Sequence, residues 1–403
     1  MRQRWFYFLF LIFAAAGLLP AQSASSANSS DIFSLLQEAG KDTAAGDLNR
    51  AELALNVVLV SSPNDCRALN LLGIVRAQQH QEAEAEKLFR KAIAAKPGFA
   101  SAHVSLGMLD VQMSRRDEAI IEFQEALRLD SQRDDARSAL VNVWREQARA
   151  AIQANDPEKA LALLINARKE HPNDPDVLYD FGMVALRMSL LPDATEAFEK
   201  VLSTRPDDTK ALYGLGRAQM SMADFEPAQK TFTTYLASHP DDASAHYALG
   251  TILESLQKPD QARAEFEKSI ALQPTQTESY FHLGRIDIDS GDLDAAQKLF
   301  DHVLQRDPRH AGALAGMGRV AFQKKNYEKA VDWLTQAANI NTSLREAHYY
   351  LGLAYARMDR KDESEEELAI ASELEHSEVK QHQNPARVVP PQPAPGAAAD
   401  PPK

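Results

Sequence analysis

The chain has 403 residues, of which 44% are hydrophobic and 25% are charged, and its formal net charge is −13 at pH 7. The hydrophobic content is that of a soluble folded protein, and the negative charge argues against a nucleic-acid partner because phosphate binding needs clustered lysine and arginine. The single cysteine, Cys66, excludes an intramolecular disulfide.

The N-terminal segment differs from the rest of the chain. Arg2 and Arg4 precede an apolar run, Trp5 to Leu19, which small and polar residues follow. The run is shorter than the roughly 20 residues of a spanning helix and is typical of a secretory signal peptide. We therefore predict a signal peptide at 1–23, a polar linker at 24–31, and an exported protein, periplasmic or secreted, with no stable membrane span after cleavage. An uncleaved short anchor is the alternative. A lipoprotein is disfavoured because no cysteine lies near the cleavage region.

The region 32–376 contains ten repeats. A proline, or a single substitute for it, recurs every 34 residues, with one step of 41 between Ser131 and Pro172. The repeats are numbered here so that this residue is position 32. The residues at position 32 are Pro63, Pro97, Ser131, Pro172, Pro206, Pro240, Pro274, Pro308, Thr342 and His376.

Small and large residues recur at fixed positions of each repeat. Position 8 is glycine in eight repeats, position 20 is alanine in nine, and position 24 is leucine or phenylalanine in all ten. Positions 4, 7, 8 and 11 share one face of a helix, as do positions 20, 24 and 27. Small residues allow two antiparallel helices to approach closely, large residues fill the space beside them, and proline at position 32 ends the second helix.

These residues at these offsets resemble the tetratricopeptide repeat (TPR) family, whose unit is a 34-residue helix–turn–helix. The resemblance covers about 345 of the 403 residues. It implies an all-α, right-handed superhelical solenoid of about ten repeats, each stabilised by stacking on its neighbours. It also implies a role in binding other proteins.

The long step places seven extra residues between 132 and 148. Seven residues are about two helical turns, so the first helix of repeat four can lengthen without changing its buried face. This insertion is either neutral variation or a protruding step that interrupts the stack. After His376 the composition shifts to proline and alanine, and we predict a disordered tail at 377–403.

Motifs of catalysis are not found in the sequence. The stretch Gly316 to Ala321 formally matches GxGxxA, but it lies inside a predicted helix and not between a strand and a helix. The histidines do not have metal-ligand spacing, and we expect no enzymatic activity, no cofactor and no metal.

By the resemblance, positions 2, 5, 9 and 12 of the first helices line the concave groove. Aromatic residues at position 5 and arginines at position 9 suit an extended polypeptide with acidic groups, because both residue types anchor interfaces. The alternative is that the aromatics brace the neighbouring repeat. The candidate groove residues are Tyr179, Tyr213, Arg217, Tyr247, Phe281, Arg285, Arg319 and Tyr349.

The sequence thus predicts an exported, non-catalytic scaffold or adaptor that binds a protein or peptide partner. Two alternatives remain open. One is a structural envelope protein that assembles with copies of itself. The other is an accessory subunit of a separate envelope enzyme or of a secretion or assembly machine.

Overall fold

The computed structural model describes residues 28–383, which consist of helices joined by short turns. Odd-numbered helices are the first helix of a repeat and even-numbered helices are the second. The helices are α1 (Asn28–Ala45), α2 (Leu48–Ser61), α3 (Cys66–Gln78), α4 (Glu82–Ala95), α5 (Ala100–Gln112), α6 (Arg116–Leu129), α7 (Asp134–Gln153), α8 (Pro157–Glu170), α9 (Pro175–Arg187), α10 (Leu191–Thr204), α11 (Thr209–Ser221), α12 (Phe225–Ser238), α13 (Ala243–Ser255), α14 (Pro259–Leu272), α15 (Thr277–Ser290), α16 (Leu293–Arg306), α17 (Ala311–Gln323), α18 (Tyr327–Ile340), α19 (Arg345–Arg357) and α20 (Lys361–Gln383).

The predicted all-α solenoid is confirmed, since no strand occurs between residues 28 and 383. The described residues form two compact units, divided between Val184 and Ala185. In each unit the helices pack in chain order. The second helix of a repeat lies against the first helix of the same repeat and against the first helix of the next repeat. This holds for α1 to α8 in the first unit and for α10 to α20 in the second. Each repeat therefore buries its apolar face only by stacking.

The contact between positions 8 and 24 explains why the first residue is small and the second is large. A Cβ atom built on Gly250 would lie 2.6 Å from Cε1 of Phe266, whose ring is fully buried. The same approach recurs between Gly73 and Phe89, where the distance is 2.5 Å. Only glycine lets the first helix lie this close to the aromatic ring.

The turn between the two helices has the same conformation in every repeat. Position 15 has a positive φ in all ten repeats, yet only Gly46 and Gly291 are glycines there. The other eight positions accept this backbone conformation with a side chain, Ala223 at φ 60° among them. The repeated geometry of the turn is therefore imposed by the packing of the helices and not by glycine alone.

The seven-residue insertion lengthens one helix. Helix α7 has 20 residues, two turns more than the 13 of α5. Ala136 and Leu140 in its first half and Trp144 in its middle are buried, and α7 packs against α5, α6 and α8. The first unit is thus continuous through the insertion, because two extra turns keep the same side of the helix facing the core.

The first and last described helices reach past residues 32 and 376, the predicted bounds of the repeat region. Helix α1 begins at Asn28, inside the predicted linker, and Asp31 in its first turn interacts favourably with the helix dipole. Helix α20 continues to Gln383, past the predicted end at 376, where His376 stands in place of the proline. The predicted signal peptide and the predicted tail from residue 384 onward lie outside the described residues.

Between residues 28 and 383, no helix combines the length and the apolar character that a bilayer crossing requires.

Candidate interaction surface

The first helices form the more closely spaced layer of the stack. Helix α15 contacts α17 directly and α17 contacts α19, whereas no two consecutive second helices in the described residues make a comparable contact. We call the exposed side of α11, α13, α15, α17 and α19, formed by positions 2, 5, 6, 9, 12 and 13, the first-helix face. Seven of the eight predicted groove residues lie on this face in the second compact unit.

Three of the predicted aromatic residues pack between helices. The Tyr213 ring lies edge-on to Phe232 at 5.7 Å and also contacts Tyr235 at 5.3 Å, both on the second helix of its own repeat. Tyr247 contacts Phe266 of its own repeat and His282 of the next, at 6.1 and 5.8 Å. These rings are half-buried and brace adjacent helices, while one side of each reaches the first-helix face.

Phe281 continues this series one repeat further. Its ring contacts Phe300 at 6.2 Å and, in the next repeat, His310 at 5.0 Å. It also occupies the space above Gly312, where a Cβ atom would lie 2.8 Å from the ring. These position-5 aromatic rings therefore brace neighbouring repeats.

The remaining two aromatics have different surroundings. Tyr349 is 42% exposed and its ring meets that of Tyr350 edge-on at 5.3 Å, so it offers a larger free surface than the others. Tyr179 is half-buried in the first compact unit.

The three position-9 arginines differ in how far carboxylates of the chain neutralise them. Arg319 is mostly buried and pairs with Asp289 at 2.6 Å and Glu346 at 3.4 Å, one from each neighbouring repeat. Arg285 is 42% exposed and lies 3.5 Å from Glu254. Carboxylates of neighbouring repeats thus neutralise the charge of Arg319 and, in part, that of Arg285.

Arg217 is exposed and has no ion pair or side-chain hydrogen bond within residues 28–383. Lys210, which the sequence analysis did not single out, is also exposed on α11 without an ion pair in that range. Lys210, Tyr213 and Arg217 stand at positions 2, 5 and 9, on one side of the helix. We call this group the α11 patch, and it presents two free cations on either side of an aromatic ring.

Histidines and carboxylates lie on the first-helix face and beside it. Nδ1 of His282 lies 2.6 Å from Oε2 of Glu254, and Nε2 of His310 lies 3.3 Å from Oε1 of Glu278. The hydrogen bond from His310 holds the pKa of Glu278 below its usual value. The carboxylates were missed from sequence because they stand at varied positions, but their spacing of 28 to 32 residues from a histidine is a signal that could have found them.

Burial raises the pKa of two tyrosines of this face, Tyr213 and Tyr247. Burial together with Glu278 and Glu254 raises the pKa of Tyr247 to about 12. Burial and Asp242 also raise the pKa of Tyr213, and the charge of Arg217 opposes that rise only in part. Both phenols are therefore neutral hydrogen-bond donors at neutral pH, beside cations that can bind carboxylates.

The described residues contain no group of three or more histidine, cysteine or acidic side chains arranged to hold a metal ion.

Family models of one kind match most of the repeat region. The model described as "Cytochrome c-type biogenesis protein H TPR domain" matches residues 217–346. Two models described as tetratricopeptide repeat match residues 43–99, 145–209 and 179–221, and residues 100–133.

A curated relative is Protein O-mannosyl-transferase TMTC3 of Homo sapiens, 28% identical over 136 residues. The match covers 34% of this chain, and it spans only 14% of the length of that relative.

Several solved structures resemble parts of this chain. YrrB, described as a TPR protein with an unusual peptide-binding site, is 27% identical over 46% of this chain and 95% of its own, with a TM-score of 0.40. MamA from Desulfovibrio magneticus RS-1 is 24% identical over 42% of this chain and 96% of its own, with a TM-score of 0.40. The Cut9–Hcn1 hetero-tetramer of the APC/C is 14% identical over 90% of this chain and 97% of its own, with a TM-score of 0.48.

Proposed function

Because the chain belongs to the tetratricopeptide repeat family, we propose that it is an exported, non-catalytic scaffold that binds a polypeptide partner on its first-helix face. The observation that carries the proposal is the α11 patch, in which Lys210 and Arg217 are exposed without carboxylate partners in the described part of the chain while Tyr213 lies between them. In a chain of net charge −13, two uncompensated cations beside an aromatic ring form a local site for an acidic ligand.

The partner suited to this surface is an extended segment with acidic side chains. Arg217 can bind a carboxylate through two parallel hydrogen bonds, and Lys210 adds a second positive charge about two turns away. The exposed sides of Tyr213 and Tyr247 supply apolar contact area of the kind that dominates binding energy. The half-buried positions of these rings fix them before the partner arrives, which lowers the entropic cost of binding.

The export and the lack of catalysis rest on the sequence. Arg2 and Arg4 followed by the apolar run Trp5 to Leu19 support export. The stacked repeats within each compact unit support a role as a binding surface.

The partner can be captured directly in the native cell. A photo-crosslinking amino acid at position 217 is expected to capture a reproducible set of polypeptides, whereas the same probe at position 234, on the opposite side of repeat six, is not. Failure of position 217 to capture more than position 234 would refute the proposed surface.

Affinity for a captured partner gives the quantitative test. We expect Arg217→Ala combined with Arg285→Ala to weaken binding by at least about tenfold, the effect typical of an interface anchor. Lys230→Ala is the matched control, because it removes an exposed cation from the same repeat on its second helix. Equal affinities of the double variant and the wild-type protein would contradict the proposal, provided that their helicity is the same.

A second candidate function is that of an accessory subunit in an envelope assembly machine. It is favoured by the match of residues 217–346 to a TPR domain of a cytochrome c-type biogenesis protein. Deletion of the gene would then abolish or strongly reduce covalently haem-stained c-type cytochromes in the source organism. Normal cytochrome levels in the deletion strain would exclude this role.

A further inference from the structure

Helix α2 presents an apolar stripe to solvent. Leu53, Val57 and Val60 are 69%, 54% and 84% exposed, and they lie four and three residues apart, on one side of the helix. They occupy positions 22, 26 and 29 of repeat one, on the side of the second helix opposite the buried Leu55. We call these three residues the α2 stripe.

The stripe is peculiar to the first repeat. At positions 22, 25, 26 and 29 repeat one has Leu53, Asn56, Val57 and Val60, with no charged residue, whereas each of the other nine repeats has at least one charged residue among these positions. The charged residues at these positions are Lys87, Arg90, Lys91, Glu125, Arg128, Lys169, Glu196, Glu199, Lys200, Lys230, Glu267, Lys268, Lys298, Asp301, Asp332, Glu366 and Glu373. The outer side of a second helix is therefore ordinarily a solvated surface, and only α2 departs from this pattern.

The charges beside the stripe are already compensated. Glu52 binds both terminal nitrogens of Arg76 at 2.6 and 2.7 Å. Arg50 pairs with Glu38 and Asp42 on α1. The exposed side of α2 is thus electrically neutral in a chain of net charge −13, and it is the second-helix surface that another copy can approach without like charges meeting.

The spacing of the stripe also suits a copy of itself. With Val57 on a twofold axis and two α2 helices antiparallel, Leu53 lies about 6 Å from the axis on one side and Val60 about 4.5 Å on the other. Each Leu53 then meets Val60 of the second copy, and Val57 meets its own equivalent. We infer that the α2 stripe is the contact of a twofold-symmetric homodimer of this protein, a self-complementary interface that closes at two copies.

A lipid surface fits the stripe less well than a second copy. Helices that lie on membranes carry several lysine and arginine residues beside their apolar side, whereas α2 has one, Arg50, which is paired with Glu38 and Asp42. The net charge of −13 also opposes approach to an anionic bilayer. Three side chains form an interface smaller than the about 800 Å² per partner of a standard complex, so we expect a dimer in the micromolar concentration range. The inference does not rest on the proposed function.

Sedimentation equilibrium of the protein, purified in the form that cells accumulate, tests the dimer. We expect the average mass to rise from monomer toward dimer between about 1 and 300 μM, the range of a small interface. Val57→Lys places two ammonium groups on the axis and should raise the dimer dissociation constant at least about tenfold. Asn166→Lys is the matched control at position 26 of repeat four, which is exposed, and it should leave the constant unchanged.

Disulfide trapping locates the contact. In a Cys66→Ser background, Val57→Cys should give a covalent dimer on oxidation. Disulfide formation needs the two Cβ atoms to lie about 3.5–4.5 Å apart, and two equivalent residues of the dimer come this close only near the twofold axis. Asn166→Cys in the same background should not. A monomer throughout the concentration range, or a dimer that Val57→Lys leaves intact, would overturn the inference. A monomer that co-sediments with phosphatidylglycerol vesicles through Val57 would overturn it in favour of a lipid contact.

Discussion

Gly250 and Phe266 show how one pair of residues sets the distance between two helices. The glycine removes the side chain that would strike the ring, and the ring fills the space that the glycine leaves. The pair recurs in repeats two, three, six, seven and eight, and leucine replaces the ring opposite Gly318. The constancy of these residues along the chain is therefore a packing requirement of each repeat, and not a catalytic motif.

Gly250→Ala should destabilise the protein by about 1–3 kcal/mol, because the added methyl group overpacks the contact with Phe266 by more than the better helix propensity of alanine offsets. Gly98→Ala is the control, since a Cβ atom there would meet nothing within 4 Å. The free energies of unfolding of both variants, measured by chemical denaturation, test this prediction. A Gly250→Ala protein as stable as the Gly98→Ala protein would show that the close contact is unimportant.

Histidine at position 4 makes a second contact that recurs between the two helices of a repeat. Nδ1 of His103 lies 2.7 Å from Glu122, and Nδ1 of His246 and His348 make the same contact, with Glu265 and Glu367, at 2.5 and 2.6 Å. In each case the carboxylate stands at position 23 of the same repeat. These histidines tie the two helices of a repeat together, as a packing role at position 4 predicts.

The hydrogen bond with Glu122 raises the pKa of His103 although burial opposes the rise. A pKa raised above the unfolded value contributes stability that is complete below pH about 6.5 and is lost as the pH rises through the folded value. The free energy of unfolding should therefore fall more between pH 6 and pH 8 in the wild-type protein than in His103→Gln, which keeps a hydrogen bond but does not titrate. Equal decreases in the free energy of unfolding of the two proteins would rule out a contribution from His103.

At the scale of the helix, the start of several elements is fixed by a polar side chain, as at α11, α13 and α16. Asp242 accepts hydrogen bonds from the amides of Ser244 and Ala245 at 2.9 and 3.0 Å and so caps α13. It also accepts a hydrogen bond from the Tyr235 hydroxyl at 2.8 Å, which joins the cap to the preceding second helix. The turn between repeats is thus held at both sides by one carboxylate.

Asp242→Ala should cost about 1–2 kcal/mol of stability, because it removes the cap of α13 and leaves the Tyr235 hydroxyl without its partner. The adjacent Asp241→Ala is the control, since Asp241 is exposed and caps no helix. Thermal unfolding of the two variants should separate them by several degrees. Equal midpoints would contradict the importance of the cap.

The helices could be predicted from sequence because each repeat contains its own pattern, and ten copies of that pattern confirm one another. The two-turn extension of α7 was predictable for the same reason, since seven residues preserve the buried face. The ion pairs of the position-9 arginines could not be predicted in this way. The partners of Arg319 are Asp289 and Glu346, which stand at different positions of two other repeats, so their contact appears only when the repeats are stacked. Likewise, only the structure shows that, among the described residues, the cations of the α11 patch lack the ion pairs that Arg319 makes.

At the scale of the whole molecule, the two surfaces proposed for binding differ in composition. The first-helix face combines half-buried aromatic rings with carboxylates, histidines and two free cations on α11, while the second helices present mostly charged residues to solvent and the α2 stripe in repeat one. A partner bound at one surface and a second copy bound at the other do not compete for the same residues. A dimer would then carry two partner sites, which increases avidity for a partner with more than one binding segment.

Amide hydrogen exchange of the protein, measured with and without its captured partner, tests the binding surface most directly. We predict that the partner slows exchange in the first helices α11, α13 and α15, where the α11 patch and the neighbouring aromatic residues lie, and leaves the second helices α12 and α14 unchanged. Slowed exchange confined to the second helices, with α11 unaffected, would contradict a scaffold that binds through its first-helix face.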